Sequence, residues 1–410
     1  MWVLAQDLCR DGTWNEKAKT SMQMAGYIRN MKDTMASADH NVEGLLDRMV
    51  SFYAQGLQQI DFEKYFLIEE ELGKGGYGNV FLVKDRQTGQ RMAMKVMDKD
   101  KTSQQSFLHE FSISFLLSSH QNIIGCFGFF YSTIDYFVFA QELAPVGDLF
   151  SIIFPNVGIP EDAVKRCTVQ ISSALEFISE KGLVHLDLKP ENVLVFDQDC
   201  HCVKITDFGL TKVTGTVIRT RCGSKTYMAP EMFNLTISDG LAVDGSLDVW
   251  AFGVVIYCLL TGEFPWQVAM LDDEAYKQYV DWQNDFQEVN PPEAWEKVPA
   301  GIRRMFIDLL AIDRTKRSKT SEVLQYLIES WKEETPESTL IQEEGDSIER
   351  ISSAQYEVTS ASHLTTSWSN VSISSSISSL SYLLTIDTSV SQSEMIPEPQ
   401  KDMSEAPIYV

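Results

Sequence analysis

The 410 residues suffice for two or three domains and a sizeable buried core, and a hydrophobic content of 44% is that of an ordinary soluble globular chain. A net charge of −24 argues against nucleic acid or an anionic membrane surface as partner, because phosphates would be repelled over most of the surface; a locally basic substrate is the natural complement. Seven Cys scattered without framework spacing and no apolar leader after Met1–Ala5 predict a reducing, intracellular setting, and no run of about 18 apolar residues predicts a membrane span.

In chain order, residues 1–61 form an N-terminal extension in which Val42, Leu45, Leu46, Met49 and Val50 recur at helical spacing and predict an amphipathic helix over about 42–58. Such a helix either meets a partner or membrane or packs on the back of the domain that follows; its Asp and Glu content favours packing. Short β-type runs come next, at Tyr65–Glu71, Asn79–Lys84, Gln90–Met97, Ile123–Tyr131 and Tyr136–Gln141. A helical stretch, Gln104–Leu117, lies between the third and fourth, so the expectation is an antiparallel sheet with one helix inserted. After Asp148 the pattern turns helical. Pro160–Ser179 carries an apolar face of Ala163, Val164, Cys167, Ile171, Ala174, Leu175 and Ile178, and Val249–Leu260 is apolar nearly all round, as in a buried helix. Cys200-His201-Cys202 has no second ligand pair nearby and reads as a turn between short strands rather than a zinc site. The folded part should end near Trp331. Residues 335–410 are dominated by Ser, Thr and acidic side chains, with blocks such as Ser372–Ser379, and are expected to form a disordered acidic tail.

The chemistry is concentrated in a few stretches. Gly73-Lys74-Gly75-Gly76-Tyr77-Gly78-Asn79-Val80 joins the first two strands, and glycines at 73, 75 and 78 let the backbone approach phosphate oxygens without a Cβ in the way. A strand follows the loop, whereas a dinucleotide-binding turn would be followed by a helix. Ala93-Met94-Lys95 sets a Lys among apolar neighbours on the third strand, and Glu110 in the inserted helix is the carboxylate that would orient it. The run His185-Leu186-Asp187-Leu188-Lys189-Pro190-Glu191-Asn192 puts a carboxylate, an ammonium and an amide on one short loop, with Asp207-Phe208-Gly209 shortly after. These are parts for moving a phosphoryl group: they can position a hydroxyl, hold Mg²⁺ and neutralise charge spreading over phosphoryl oxygens.

The glycine loop, Lys95, His185–Asn192, Asp207–Gly209, Ala229-Pro230-Glu231 and Asp248–Gly253 resemble, in this order, the eukaryotic protein kinase signature set over about residues 65–331. The resemblance implies an α+β bilobal fold in a domain of residues 62–334: a small antiparallel-sheet N-lobe with one helix (62–143) and a larger helical C-lobe (144–334). ATP and Mg²⁺ are the implied cofactors. Asp187 would accept or orient the substrate hydroxyl proton, and Lys189 would stabilise the γ-phosphoryl charge and point to Ser/Thr rather than Tyr substrates. Lys95, held by Glu110, would meet the α- and β-phosphates, and Asn192 and Asp207 would hold Mg²⁺. Nucleotide would contact Gly73, Lys74, Gly75, Gly76, Gly78, Val80, Ala93 and Leu194, with Gln141 as gatekeeper, the backbone of Glu142 and Ala144 on adenine and Asp148 on ribose. Ser224 would contact the catalytic Asp, Glu231 would pair with Arg317, and Asp248 would anchor the catalytic loop.

A narrower resemblance rests on Tyr136–Pro145, Gly158–Cys167, Glu191–Asp197 and Asp248–Val254, which are similar to the SH3-domain-binding serine/threonine kinase family of soluble, mostly cytoplasmic enzymes. None of the 13 Pro falls in a P-x-x-P spacing, so SH3 binding does not carry over. The final Ile408-Tyr409-Val410 could add as a strand to a PDZ domain. Leu186 stands where most kinases have an Arg that pairs with a phosphorylated activation segment, so the segment Leu210–Lys225 should be ordered by packing, or be regulated by a partner, with phosphorylation at Thr216 or Thr220 not obligatory. The expected function is that of a non-specific Ser/Thr kinase of protein substrates, with a nucleotide-binding pseudokinase scaffold as the alternative. Ser224–Glu231 resembles a peptide-docking loop and disfavours a small-molecule or lipid kinase. Asp272, Asp273 and Glu274 either select basic side chains near the target or form a solvated loop.

Overall fold

The computed structural model describes residues 42–76, 78–235, 238–285 and 290–332. The expectations for residues 1–41, for the Ser/Thr-rich tail and for its last three residues lie outside the described residues. Among the described residues no helix is long and apolar enough to cross a membrane.

Helix α1 (Val42–Gly56) forms where helical spacing predicts it, with Val42, Leu45, Leu46, Met49 and Tyr53 buried along one face. It packs on the domain that follows. Beyond it the chain lies parallel to Ser132, which donates from its N–H to the Gln58 carbonyl at 2.9 Å while Ile60 N–H donates to the Ser132 carbonyl at 2.8 Å, covering a sheet edge. After a short helix α2 (Phe62–Tyr65) come β1 (Phe66–Gly75), β2 (Gly78–Asp85), β3 (Arg91–Asp98), helix α3 (Gln104–Leu117), β4 (Cys126–Ser132) and β5 (Tyr136–Gln141). The strands form one sheet in the order β1-β2-β3-β5-β4, antiparallel throughout. The first strand runs four residues past the expected Glu71, because β1 and β2 stay paired through the glycine run to Gly75 opposite Gly78; the glycine loop is the tip of a hairpin. The fourth strand begins at Cys126 instead of Ile123. Ile123 bridges across to Ile205 of the second lobe, and Ile124 N–H donates to the Ile205 carbonyl at 2.9 Å.

The second lobe opens with β6 (Gly147–Asp148) and α4 (Glu161–Glu180), then the short strands β7 (Leu183–Val184), β8 (Val193–Val195), β9 (Val203–Ile205), β10 (Lys212–Val213), β11 (Val217–Ile218) and β12 (Leu241–Ala242). Helices α5 (Ser246–Thr261), α6 (Glu274–Asn284), α7 (Glu293–Glu296) and α8 (Ala300–Leu309) complete it. The bilobal α+β expectation is met. Helix α5 starts three residues before the expected Val249 and is enclosed at every position from Leu247 to Thr261, as an all-apolar helix must be. It stops at Gly262, whose φ of 69° is left-handed and where a Cβ would sit 2.1 Å from the Phe154 carbonyl oxygen. Trp295 centres the lobe's aromatic cluster, with Tyr279 at 4.8 Å, Tyr257 at 4.9 Å, Phe306 at 5.4 Å and Trp282 at 5.7 Å.

Two sequence ambiguities resolve here. Cys200-His201-Cys202 lies in the turn between β8 and β9, where the Asp197 carboxylate accepts from the N–H groups of His201 and Cys202. Asp273 is a helix cap, accepting from the N–H groups of Tyr276, Gln267 and Val268, so its charge is spent on backbone.

Trp331 closes the lobe at its C-terminal end. It is fully buried, its indole N–H donates to the Tyr326 carbonyl at 2.7 Å, and the Lys165 ammonium lies 6.0 Å from its ring. Trp331→Ala should therefore lower unfolding stability by about 3–5 kcal/mol, read from the urea midpoint. An unchanged midpoint would show that the stretch after α8 is not integral to the lobe.

Candidate active site

Lys95 sits on the central strand of the sheet, opposite Val80 of β2 on one side and Phe139 of β5 on the other, which fixes where its side chain leaves the sheet. Its ammonium reaches Glu110 of α3 at 2.5 Å and Asp207 at 2.9 Å. Three elements from two lobes meet on one cation. Burial by itself would push the Lys95 ammonium down, but the two carboxylates outweigh it and its pKa is raised, so the group stays charged. Asp207 is likewise pushed up by burial, and Lys95 more than offsets this, leaving its carboxyl below the usual range.

The catalytic loop follows β7. Asp248, buried at the start of α5, accepts from the His185 N–H at 2.7 Å and the Leu186 N–H at 2.9 Å, which anchors the loop from below. The His185 ring receives the Asp187 N–H on Nδ1 at 3.2 Å, so Nε2 carries the proton donated to the Thr206 carbonyl at 3.1 Å. Leu186 and Asp207 both adopt left-handed backbone conformations, with φ of 69° and 64°.

Asp187 is the point of convergence. One carboxylate oxygen accepts from the Ser224 N–H and from its hydroxyl, each at 2.9 Å; the other accepts from the Asn192 amide at 3.2 Å and faces the Lys189 ammonium at 3.0 Å. Lys189 also donates to the Ser224 hydroxyl at 2.8 Å. The preceding Gly223, with φ of 96°, is required here, since a Cβ would lie 2.4 Å from the Leu186 carbonyl oxygen. Glu231 and Arg317 form a bidentate pair at 2.7 and 2.8 Å, with Arg317 over the Trp250 ring at 4.9 Å.

Between the lobes, Gln141 is buried at the end of β5 opposite Ala93, and the chain then crosses through Glu142 and Ala144. Among the described residues the Glu142 carbonyl and the Ala144 N–H have no hydrogen-bond partner, so both are open to a planar base. Val80 in β2 and Leu194 in β8 are half-buried. Asp148 spends one carboxylate oxygen on the Ser151 N–H at 2.8 Å. Gly73 pairs with Val80, Lys74 with Asn79 and Gly75 with Gly78 in the hairpin, and a Cβ at Gly73 or Gly76 would meet nothing within 4 Å, so this edge is open.

Sequence reasoning missed Lys204. Its ammonium binds the Glu142 carboxylate at 2.6 Å, and the same carboxylate oxygen accepts the Gly125 N–H at 2.6 Å, pinning the crossing segment from both sides. Nothing in local spacing links residues 142 and 204. The activation segment is held by backbone: β10 pairs with β7, β11 pairs with β12, and Ile218 is buried.

The protein kinase domain family matches residues 66–327. The chain belongs to the protein kinase family. Within it, the kinase is 43% identical to the serine/threonine-protein kinase SBK1 of Danio rerio over 297 residues, 72% of this chain and 77% of the relative. It is 44% identical to SBK1 of Mus musculus over 283 residues, 69% of this chain and 68% of the relative, and 33% identical to the serine/threonine-protein kinase meng-po of Drosophila melanogaster over 279 residues. It is a serine/threonine kinase of the SBK group, and the pseudokinase alternative is not favoured. Membership implies protein substrates and the use of ATP and Mg²⁺.

Ser224→Ala removes a donor to Asp187 and an acceptor from Lys189 while leaving the backbone contact in place. The kinase should lose about tenfold to a hundredfold in kcat, the equivalent of roughly 1.5–3 kcal/mol for a hydrogen bond to a charged group, and Ser224→Thr should restore it. Equal kcat values for Ser224→Ala and wild type in steady-state assays would remove Ser224 from the site.

Proposed function

We propose that the kinase is an active, non-specific serine/threonine protein kinase in which Asp187 takes the proton of the incoming hydroxyl. The observation that carries this is the convergence on Asp187, whose two oxygens are aimed by Ser224, Asn192 and Lys189. The donor set fits a divalent cation. The Asn192 amide spends its N–H on the Asp187 carbonyl at 2.8 Å and on its carboxylate, and its oxygen accepts no hydrogen bond among the described residues; Asp207 engages Lys95 through one oxygen only. Bound ATP and Mg²⁺ would supply the phosphoryl group and neutralise its oxygens. Lys95 would orient the phosphates, Lys189 would offset charge as the hydroxyl attacks, and the backbone of Glu142 and Ala144 would hold adenine. Six free cysteines among the described residues suit a reducing cytoplasm.

Asp187→Asn keeps the shape and removes the base. Incubated with labelled ATP, Mg²⁺ and mixed protein substrates, wild type should place label on Ser and Thr, whereas the variant should transfer none and still bind nucleotide. Transfer by the variant at the wild-type rate would reject Asp187 as the base.

Leu186 offers no cation to a phosphate, and the activation segment is tied by strand pairing instead. Phosphatase treatment, with mass spectrometry showing no phosphate left on Thr216 or Thr220, should leave the rate unchanged. A rate that falls with the loss of phosphate contradicts this.

A further inference from the structure

After its exposed first turn, helix α3 is enclosed on most of its circumference, with Phe107, Leu108, Phe111, Ile113, Leu116 and Leu117 buried. A helix beside a sheet hides only one face against it, so the outer face needs a second cover. That cover is α1. The Tyr53 ring meets Phe111 edge-on at 5.0 Å and Phe130 at 5.3 Å. Phe111 directly follows Glu110 and contacts Phe139 at 5.8 Å, and Phe139 is the residue opposite Lys95 in the β3–β5 pair. One aromatic cluster therefore backs both partners of the ion pair.

At its other end α1 reaches the second lobe. A Cβ on Gly182 would lie 3.5 Å from Val42, and the Gly182 carbonyl accepts the Thr214 N–H of the activation segment at 2.8 Å. Between the two ends, half-buried His109 of α3 is pushed down in pKa by burial and by Lys212 of the activation segment, while Asp47 of α1 opposes this. Helix α1, helix α3 and the activation segment thus meet in one place.

We propose that α1 is a built-in positioning element for phosphoryl transfer, with Tyr53 the positioning residue that holds α3 so that Glu110 stays on Lys95. This rests on the reading of Lys95 and Glu110 as a catalytic pair. The ring does the holding: the Tyr53 hydroxyl is buried without a hydrogen-bond partner among the described residues. In a kinase whose Leu186 cannot recruit a phosphate, packing from the N-terminal side performs the ordering that charge performs elsewhere.

The test compares the full chain with Tyr53→Ala, Tyr53→Phe and Glu110→Gln at a temperature where thermal melts show all four folded. Tyr53→Ala should lower kcat roughly 5- to 150-fold, the span of typical coupling between two sites, with KM for ATP little changed because adenine is held at the remote crossing segment. Hydrogen exchange should quicken in α3 and not in α5, and Tyr53→Phe should match wild type. Glu110→Gln should lose at least as much activity as Tyr53→Ala. If Tyr53→Ala keeps its kcat while Glu110→Gln loses it, the positioning role is overturned; if Glu110→Gln keeps its kcat, the ion-pair reading beneath it fails instead. Faster exchange in α3 and α5 together also overturns the proposal, since that is general loosening. Should Tyr53→Ala not fold, Met49→Ala removes a smaller buried side chain from the same face of α1 and is read in the same way.

Discussion

Everything in the site depends on one buried cation shared by two carboxylates. Lys95 and Glu110 are almost wholly enclosed, and taking such charges out of water costs several kcal/mol per ion unless geometry and hydrogen bonding compensate. Compensation needs β3, α3 and the segment bearing Asp207 to arrive together, so the ion cluster is satisfied only when all three are in place. Any loosening of α3 strands a buried charge. The aromatic packing around Phe111 and Phe139 then has a physical purpose beyond area burial, since it fixes the distance that makes the pair favourable.

The catalytic loop meets the same problem with strain instead of charge. Left-handed conformations at Leu186 and Asp207 cost on the order of 1–3 kcal/mol each, and non-glycine residues hold them only where the surroundings over-determine the backbone. Asp248 supplies that determination at Leu186 by accepting two consecutive N–H groups, and Lys95 and the Gly209 N–H supply it at Asp207. The strained loop is carried by α5, the most enclosed helix among the described residues, so the rigidity of the large lobe is passed directly to Asp187.

The parts of this arrangement that were legible in the sequence are those in which chemistry and spacing coincide. The interval from Asp187 to Asn192 sets a carboxylate, an ammonium and an amide on one loop whatever the rest of the chain does, and the Lys95 strand and Glu110 helix announce themselves by apolar context. The helix from 161 was readable from periodicity, because a buried face writes itself at a period near 3.6, whereas the helix from 246 was readable from a run apolar nearly all round. What could not be read was pairing at a distance. The Lys204–Glu142 contact joins residues with unremarkable neighbours, and Asp273 looks like a surface acid until its three backbone donors are seen. Strand ends were misplaced where pairing overrode composition, as in β1, which continues through glycines because β2 lies beside it.

Helix α1 shows where the two kinds of information meet. Its periodicity was visible, yet an apolar stripe does not say what it will face. The answer lay in α3, whose own apolar residues surround it and so exceed what the sheet can cover. Two helices with matching excess apolar surface, separated in the chain by the first three strands of one sheet, have few alternatives to packing on each other. Ordering by packing differs in kind from ordering by a phosphate. A charge contact weakens with salt and is switched by adding or removing one group, whereas apolar contact is indifferent to salt and is undone only by a competitor for the same surface. With Leu186 in place of a cation, the activation segment is held without a phosphate contact, by backbone pairing at Lys212–Val213 and Val217–Ile218 and by the Gly182 carbonyl beside Val42 of α1.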